Sequence, residues 1–173
     1  MRSAPITVDT RPWLFADSDI PPDTNWHFGA LPSGLRYAVR RNSVPPGQVA
    51  VRVRIDAGSL YETDAEQGFA HLIEHLSFRG SKYVPDGEAK RVWQRFGATF
   101  GSDSNASTTP TQTVYKLDLP GATDVKLDES LKIFSGMMAA PAISDAGLAA
   151  ERPAVLAEQR EAPGPQVRYG DML

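Results

Sequence analysis

The spacing of apolar residues switches between two periods along this chain, and the switching restricts the folds open to it. Val49, Val51, Val53 and Ile55 alternate with Ala50, Arg52, Arg54 and Asp56, the two-residue period of a strand with one buried face. Residues 58–66 read as a loop. Phe69, Leu72, Ile73 and Leu76 then recur at helical spacing until Gly80 stops the run, so this part of the core is expected to form on one side of a helix. A second helix is expected from Asp86, as a cap after Pro85, through Val92, Trp93 and Phe96 to Gly97. Residues 98–109 are small and polar, and Thr113, Tyr115, Leu117 and Leu119 alternate with Val114, Lys116 and Asp118, which predicts a second pair of strands. Asp124 opens an amphipathic helix through Leu127, Leu131, Phe134 and Met138, and a last helical pattern runs from Asp145 to Glu161. Strands and helices in this order predict an α+β domain.

Upstream, residues 35–41 read as a strand and residues 42–48, with Pro45, Pro46 and Gly47, as a turn. A hairpin between 35–41 and 49–55 is the expectation. Residues 1–34 carry Pro5, Pro12, Pro21, Pro22 and Pro32 among Trp13, Phe15, Trp26 and Phe28, and predict an irregular arm with Gly34 as the turn into the first strand. The expected division is an arm over 1–34, a main domain over 35–162 and a tail or linker over 163–173, since Ala162-Pro163-Gly164-Pro165 breaks the helix.

Composition removes several functions. At 173 residues there is material for one domain with a sizeable core. A net charge of −3 without a basic block argues against a nucleic-acid partner. No apolar run is long enough for a membrane span, and the first residues lack the apolar segment of a signal peptide. With no cysteine, a bound metal would be held by histidine and carboxylate.

Such a set lies in His71-Leu72-Ile73-Glu74-His75. On a helix the two histidines stand one above the other about 40° apart, with Glu74 on the adjoining edge and Leu72, Leu76, Phe69 and Ile73 away from them. Two imidazoles on one face suit zinc, whose open coordination position can hold water, and a free carboxylate beside it suits a general base, the role expected of Glu74. A further ligand is not fixed by this pattern. Glu151 and Glu158 lie two turns apart on one side of the last predicted helix, and either could face the histidines.

His71-Leu72-Ile73-Glu74-His75, taken with Glu151-Arg152-Pro153-Ala154-Val155-Leu156-Ala157-Glu158, resembles the pitrilysin family of inverted-motif zinc peptidases. The stretch 101–108, Gly101-Ser102-Asp103-Ser104-Asn105-Ala106-Ser107-Thr108, and Thr113-Val114-Tyr115 fit the same pattern in order, and the resemblance covers residues 26–161. It implies a pitrilysin-like α/β roll with a mixed, mostly antiparallel sheet packed against helices, incomplete in a chain of this length. It also implies one zinc ion per catalytic site held by His71, His75 and Glu158, Glu74 as general base, and Glu151 as a supporting acid. The spacing common in the family is closer to Glu151, but the local Glu-Arg match selects Glu158 as the ligand. Asp103, Ser104, Asn105, Ala106 and Ser107 correspond to an edge where a peptide substrate would add as a strand. The implied activity is endoproteolysis of peptides or small unfolded polypeptides, with a noncatalytic homologous subunit as the alternative. Expected partners are the remainder of the peptidase, a homologous domain or subunit, or a dimer. The similarity to short-loop bacterial relatives favours a bacterial periplasm or another exported setting. Pro153 departs from helical chemistry, because it lacks an N–H and crowds the carbonyl of Ala149, which puts the angle between Glu151 and Glu158 in question.

Overall fold

The computed structural model describes residues 12, 13 and 15–161, so the expected tail at 163–173 and most of the first residues lie outside the described part. The chain divides into two compact units at Pro46 and Gly47. In the first unit β1 (Trp26–Ala30) and β2 (Arg36–Arg40) pair antiparallel, Trp26 opposite Arg40 and Ala30 opposite Arg36. Their turn closes through Leu31 N–H to Leu35 O and Gly34 N–H to Leu31 O, both 2.8 Å. Gly34 takes a φ of +88°, which a side chain would oppose. Phe28 of β1 packs against Phe15 and Trp13 at centroid distances of 4.6 and 5.0 Å. The expected arm therefore contains a strand.

The second unit contains β3 (Val49–Ile55), α1 (Phe69–Ser77), α2 (Glu88–Arg95), β4 (Ser104–Thr108), β5 (Thr113–Leu119), α3 (Asp124–Ala139) and α4 (Asp145–Glu161). Its sheet has the order β3-β5-β4 and is antiparallel throughout. The hairpin expected between residues 35–41 and 49–55 does not form: β2 pairs with β1 and β3 with β5. Alternation identifies a strand but not its partner. The five-residue turn at 31–35 joins β1 to β2 with two backbone hydrogen bonds, while the central β5 offers β3 a seven-residue register from Val49–Leu119 to Ile55–Thr113. The expected second strand pair is present as β4 and β5.

Thr113, Tyr115, Leu117 and Leu119 of β5 are buried, as their spacing predicts, and Leu117 and Leu119 are fully enclosed. Around them close Phe78, Val92 and Trp93 with Ile133, Phe134 and Met137 of α3, the Trp93 and Phe134 rings 5.0 Å apart. Each enclosed aliphatic side chain contributes roughly 1.5–3 kcal/mol relative to exposure. The result is an α+β unit whose sheet packs against helices.

Two local expectations need correction. Asp86 does not cap α2; the position before that helix is Gly87, at φ +76°, and the Asp86 carboxylate pairs with Arg79 instead. On α1, Leu76 is buried, but Phe69 and Ile73 are about half exposed. They border, with Ile55, Tyr61 and Met138, an open apolar groove of about 450 Å³ instead of joining the closed core.

Candidate metal centre

The site is built on α1. Its first residue follows Gly68, which has a φ of +89° and no side chain to cap the helix. Glu62 takes over that task from the preceding loop: Gly68 N–H donates to its Oε2 at 2.8 Å and Ala70 N–H to its Oε1 at 2.7 Å. A carboxylate on the free amides of a helix N-terminus also meets the positive end of the helix dipole. The loop is pinned by Gly58, where an added Cβ would lie 1.9 Å from the Thr109 carbonyl oxygen.

One turn apart on α1, His71 and His75 bring their Nε2 atoms to 3.2 Å. The Glu158 Oε2, from α4, lies 3.3 Å from His71 Nε2 and 3.5 Å from His75 Nε2. Donor atoms around a tetrahedral zinc ion with bonds of about 2.0–2.1 Å stand about 3.3–3.4 Å apart, so the three atoms match one face of such a polyhedron. Two imidazoles and a carboxylate are also donors that zinc accepts. The Glu74 carboxylate lies within 4.8 Å of the same imidazoles. Glu158 is the closer, and it is 55% exposed on the open side of the site, whereas Glu74 is only 7% exposed. Glu74 is engaged elsewhere: Thr108 Oγ1, on β4, donates to its Oε2 at 2.6 Å.

Glu151 reaches the other side of His75, its Oε2 3.3 Å from Nδ1. A carboxylate only accepts, so Nδ1 is the donor in this contact, and a neutral ring would then offer its Nε2 lone pair on the Glu158 side. Glu151 is itself held by Arg79, whose NH1 donates to Oε1 at 3.0 Å. Those bonds, first to Glu151 and then to Asp86, push the guanidinium above its ordinary pKa. Pro153 does not break the arrangement. Helix α4 runs continuously from Asp145 to Glu161, and both of its glutamates reach the imidazoles of α1.

These residues border a cavity of about 510 Å³ together with Asn105, Ala106, Ser107 and Thr108, and with Phe78, Lys90 and Phe100 on another wall. Among the described residues β4 is hydrogen-bonded to a strand on one side only, so it is an edge of this sheet. Of the expected edge residues, Asn105, Ala106 and Ser107 line the cavity; Ser104 is buried, and Asp103 precedes the strand with its carboxylate on Thr99 N–H at 2.8 Å. The Asn105 side chain is used locally, donating to Gly101 O and accepting from Ala106 N–H. Thr108, Arg79, Glu62 and Lys90 were not among the site residues expected from sequence. Thr108 ends the matched stretch 101–108 but was given no role there, and Arg79, Glu62 and Lys90 act through contacts that only the fold creates. His27 is an exposed residue of β1.

Known proteins resemble this chain over most of its length. Residues 37–166 match the family Insulinase (Peptidase family M16). The chain is 34% identical over 158 residues to the probable zinc protease PqqL of Haemophilus influenzae, covering 91% of this chain and 17% of that protein. It is 35% identical over 141 residues to the probable zinc protease PqqL of Escherichia coli, covering 82% and 15%. The crystal structure of the first half of the periplasmic protease PqqL from Escherichia coli superposes with a TM-score of 0.81 at 33% identity, covering 88% of this chain and 32% of that one. The chain thus spans about a sixth of the length of the curated relatives it matches.

Proposed function

Because the chain belongs to the insulinase (M16) family of peptidases, we propose that it forms the metal-binding part of a zinc-dependent endopeptidase acting on peptides or small unfolded polypeptides. The observation that carries this reading is the triangle of His71 Nε2, His75 Nε2 and Glu158 Oε2, with edges of 3.2–3.5 Å, beside a buried Glu74. His71, His75 and Glu158 would hold one zinc ion. Glu151 supports His75 from behind.

When bound, the ion supplies Lewis acidity, making water in the cavity more acidic and polarising a carbonyl. The chain's own residues do the rest. Thr108 fixes Glu74 through Oε2 and leaves Oε1, which has no hydrogen bond among the described residues, to accept a proton from the attacking water. The same Oε1 then delivers that proton to the leaving amine, so the carboxylate ends as it began. His75 is kept in one tautomer by Glu151, and Glu151 is kept in place by Arg79. A substrate strand would lie along β4 at Asn105, Ala106 and Ser107 and use backbone hydrogen bonds for affinity. The zinc would be one per site, and the remainder of a longer peptidase is the partner this reading requires. An exported, periplasmic setting follows the similarity to PqqL. Among the described residues no helix is long and apolar enough to cross a membrane.

The test is Glu74→Gln in the full-length protein. Zinc content should stay near that of the wild type while peptide turnover falls at least about a hundred-fold, the lower range of general acid–base catalysis. Turnover at the wild-type rate would remove Glu74 from its role. A wild-type protein that binds no zinc and cleaves no peptide would establish the noncatalytic alternative.

A further inference from the structure

The cavity contains one charge that the mechanism does not use. Among the described residues that line it, Lys90, on α2, is the single lysine or arginine. Its Nζ sits 3.9 Å from the centroid of the Phe100 ring and 5.4 Å from that of Phe78. Such contacts hold an ammonium against a wall but leave its charge unneutralised. Among the described residues no carboxylate lies within ion-pair distance of it. Burial draws its pKa below the ordinary lysine range, with Glu151 opposing through space.

The charges of the site can be counted. Among the described residues, Glu74, Glu151 and Glu158 are the carboxylates of the cavity wall. Arg79 is bonded to both Glu151 and Asp86, which share its single positive charge. A divalent ion at the histidines would offset Glu74 and Glu158, and among the described residues lining the cavity Lys90 is then the charged side chain without an ion-pair partner. A peptide added along Asn105–Thr108 passes through the same cavity, so its side chains near the scissile bond enter the field of that ammonium. An ammonium held against aromatic rings without an ion-pair partner is complementary to a substrate that brings a carboxylate to it, and least suited to one bringing a further positive charge.

We infer that Lys90, standing on the aromatic wall of Phe78 and Phe100, selects substrates by binding a peptide carboxylate close to the scissile bond. This rests on the peptidase reading above and adds a substrate class to it. The carboxylate has two sources, an acidic side chain or a free chain terminus a residue or two beyond the bond. Lys90 acts here by contact with substrate and takes no part in proton transfer.

The experiment uses the full-length, zinc-loaded protein and peptides differing at one position. End-blocked peptides carry Glu, Gln or Lys on either side of the scissile bond; a further pair carries Gln there with a free or an amidated C-terminus nearby. The expected result is a kcat/KM about ten-fold higher for a carboxylate peptide than for its neutral match, the size of one partly desolvated charge contact. Whichever pair carries the preference identifies the source of the carboxylate. Lys90→Met should equalise the pair, Lys90→Arg should keep the preference, and Lys90→Glu should invert it towards the Lys peptide. Binding to the zinc-loaded Glu74→Gln protein gives the same ranking without turnover. Equal kcat/KM for both pairs in the wild type, or a preference that survives in Lys90→Met, overturns the assignment even where another variant fails to fold. If the wild type cleaves none of the peptides, the peptidase reading falls; equal binding of all peptides to the Glu74→Gln protein would separately remove the role of Lys90.

Discussion

Replacing Thr108 by valine removes one hydroxyl and almost nothing else, and the structure fixes what that hydroxyl does. Thr108 Oγ1 lies 2.6 Å from Glu74 Oε2 and 3.4 Å from Thr113 Oγ1. The Thr113 hydroxyl donates its proton to Ala57 O at 3.0 Å. Each hydroxyl has one proton, so Thr108 donates to Glu74 and its long contact with Thr113 adds little. A hydrogen bond to a charged group is worth about 1.5–3 kcal/mol. At about 1.36 kcal/mol per decade of rate, the whole of it corresponds to about 10- to 150-fold. Glu74 is 7% exposed, so water is poorly placed to replace the lost donor. Thr108→Val should therefore lower kcat/KM by an amount in that range, with zinc stoichiometry unchanged because Thr108 is not among the proposed ligands. Thr108→Ser keeps the donor and should recover most of the loss. The assay is steady-state cleavage of a fluorogenic peptide by full-length protein, alongside zinc measured on the same samples. A zinc-loaded Thr108→Val protein with kcat/KM within about two-fold of wild type would refute the reasoning, since the bond is then worth less than any charged hydrogen bond.

Glu151→Gln should weaken zinc binding by about 10- to 100-fold, the usual cost of losing a carboxylate behind a ligating histidine, because His75 Nδ1 and Arg79 both rely on it; competition against a zinc indicator with unchanged affinity would reject this. Tyr115 gives a pH test. Burial pushes its phenol up, more than the hydrogen bond to Ser77 pulls it down. The unfolded chain ionises this group from about pH 10 while the folded one keeps the proton, so the unfolded state binds fewer protons and stability falls as pH rises from there towards the raised folded value. In the zinc-free protein Tyr115→Phe should flatten that fall, and urea midpoints between about pH 8 and 11 with the same slope in both proteins would count against it.

What could be read from sequence was local, and what could not was made by the fold. His71, Glu74 and His75 lie within five consecutive residues, so helical geometry alone brings them to one side. The buried set of β5 was legible for the same reason, a two-residue period held from Thr113 to Leu119. Glu151 and Glu158 could be placed on a common helix face, but periodicity could not choose between them; the resemblance ranked them, and their contacts fall on opposite nitrogens of His75. The hairpin between residues 35–41 and 49–55 failed because strand periodicity contains no partner information, and a tight turn at Gly34 favoured the nearer neighbour. Asp86 failed as a cap because Arg79, seven residues earlier, competes for its carboxylate. The pattern on α1 also gave no sign that Phe69 and Ile73 would border an open groove.

The carboxylates around α1 divide their oxygens between tasks. Glu62 spends both on the helix N-terminus, where Gly68 and Ala70 would otherwise lack acceptors. Glu151 gives Oε1 to Arg79 and Oε2 to His75, so it transmits the position of a guanidinium to an imidazole. Glu74 gives Oε2 to Thr108 and keeps Oε1 free, while Glu158 turns Oε2 towards both histidines. The loop through Glu62, α4 through Glu151 and Glu158, and β4 through the Thr108 hydroxyl on Glu74 all restrain the same nine-residue helix. A helix of that length is marginal by itself, and its α-helical hydrogen bonds alone would not hold two imidazoles within a fraction of an ångström of a ligand triangle. The restraint comes from the tertiary contacts, and the proposed proton transfer falls to Glu74 Oε1, which nothing among the described residues holds.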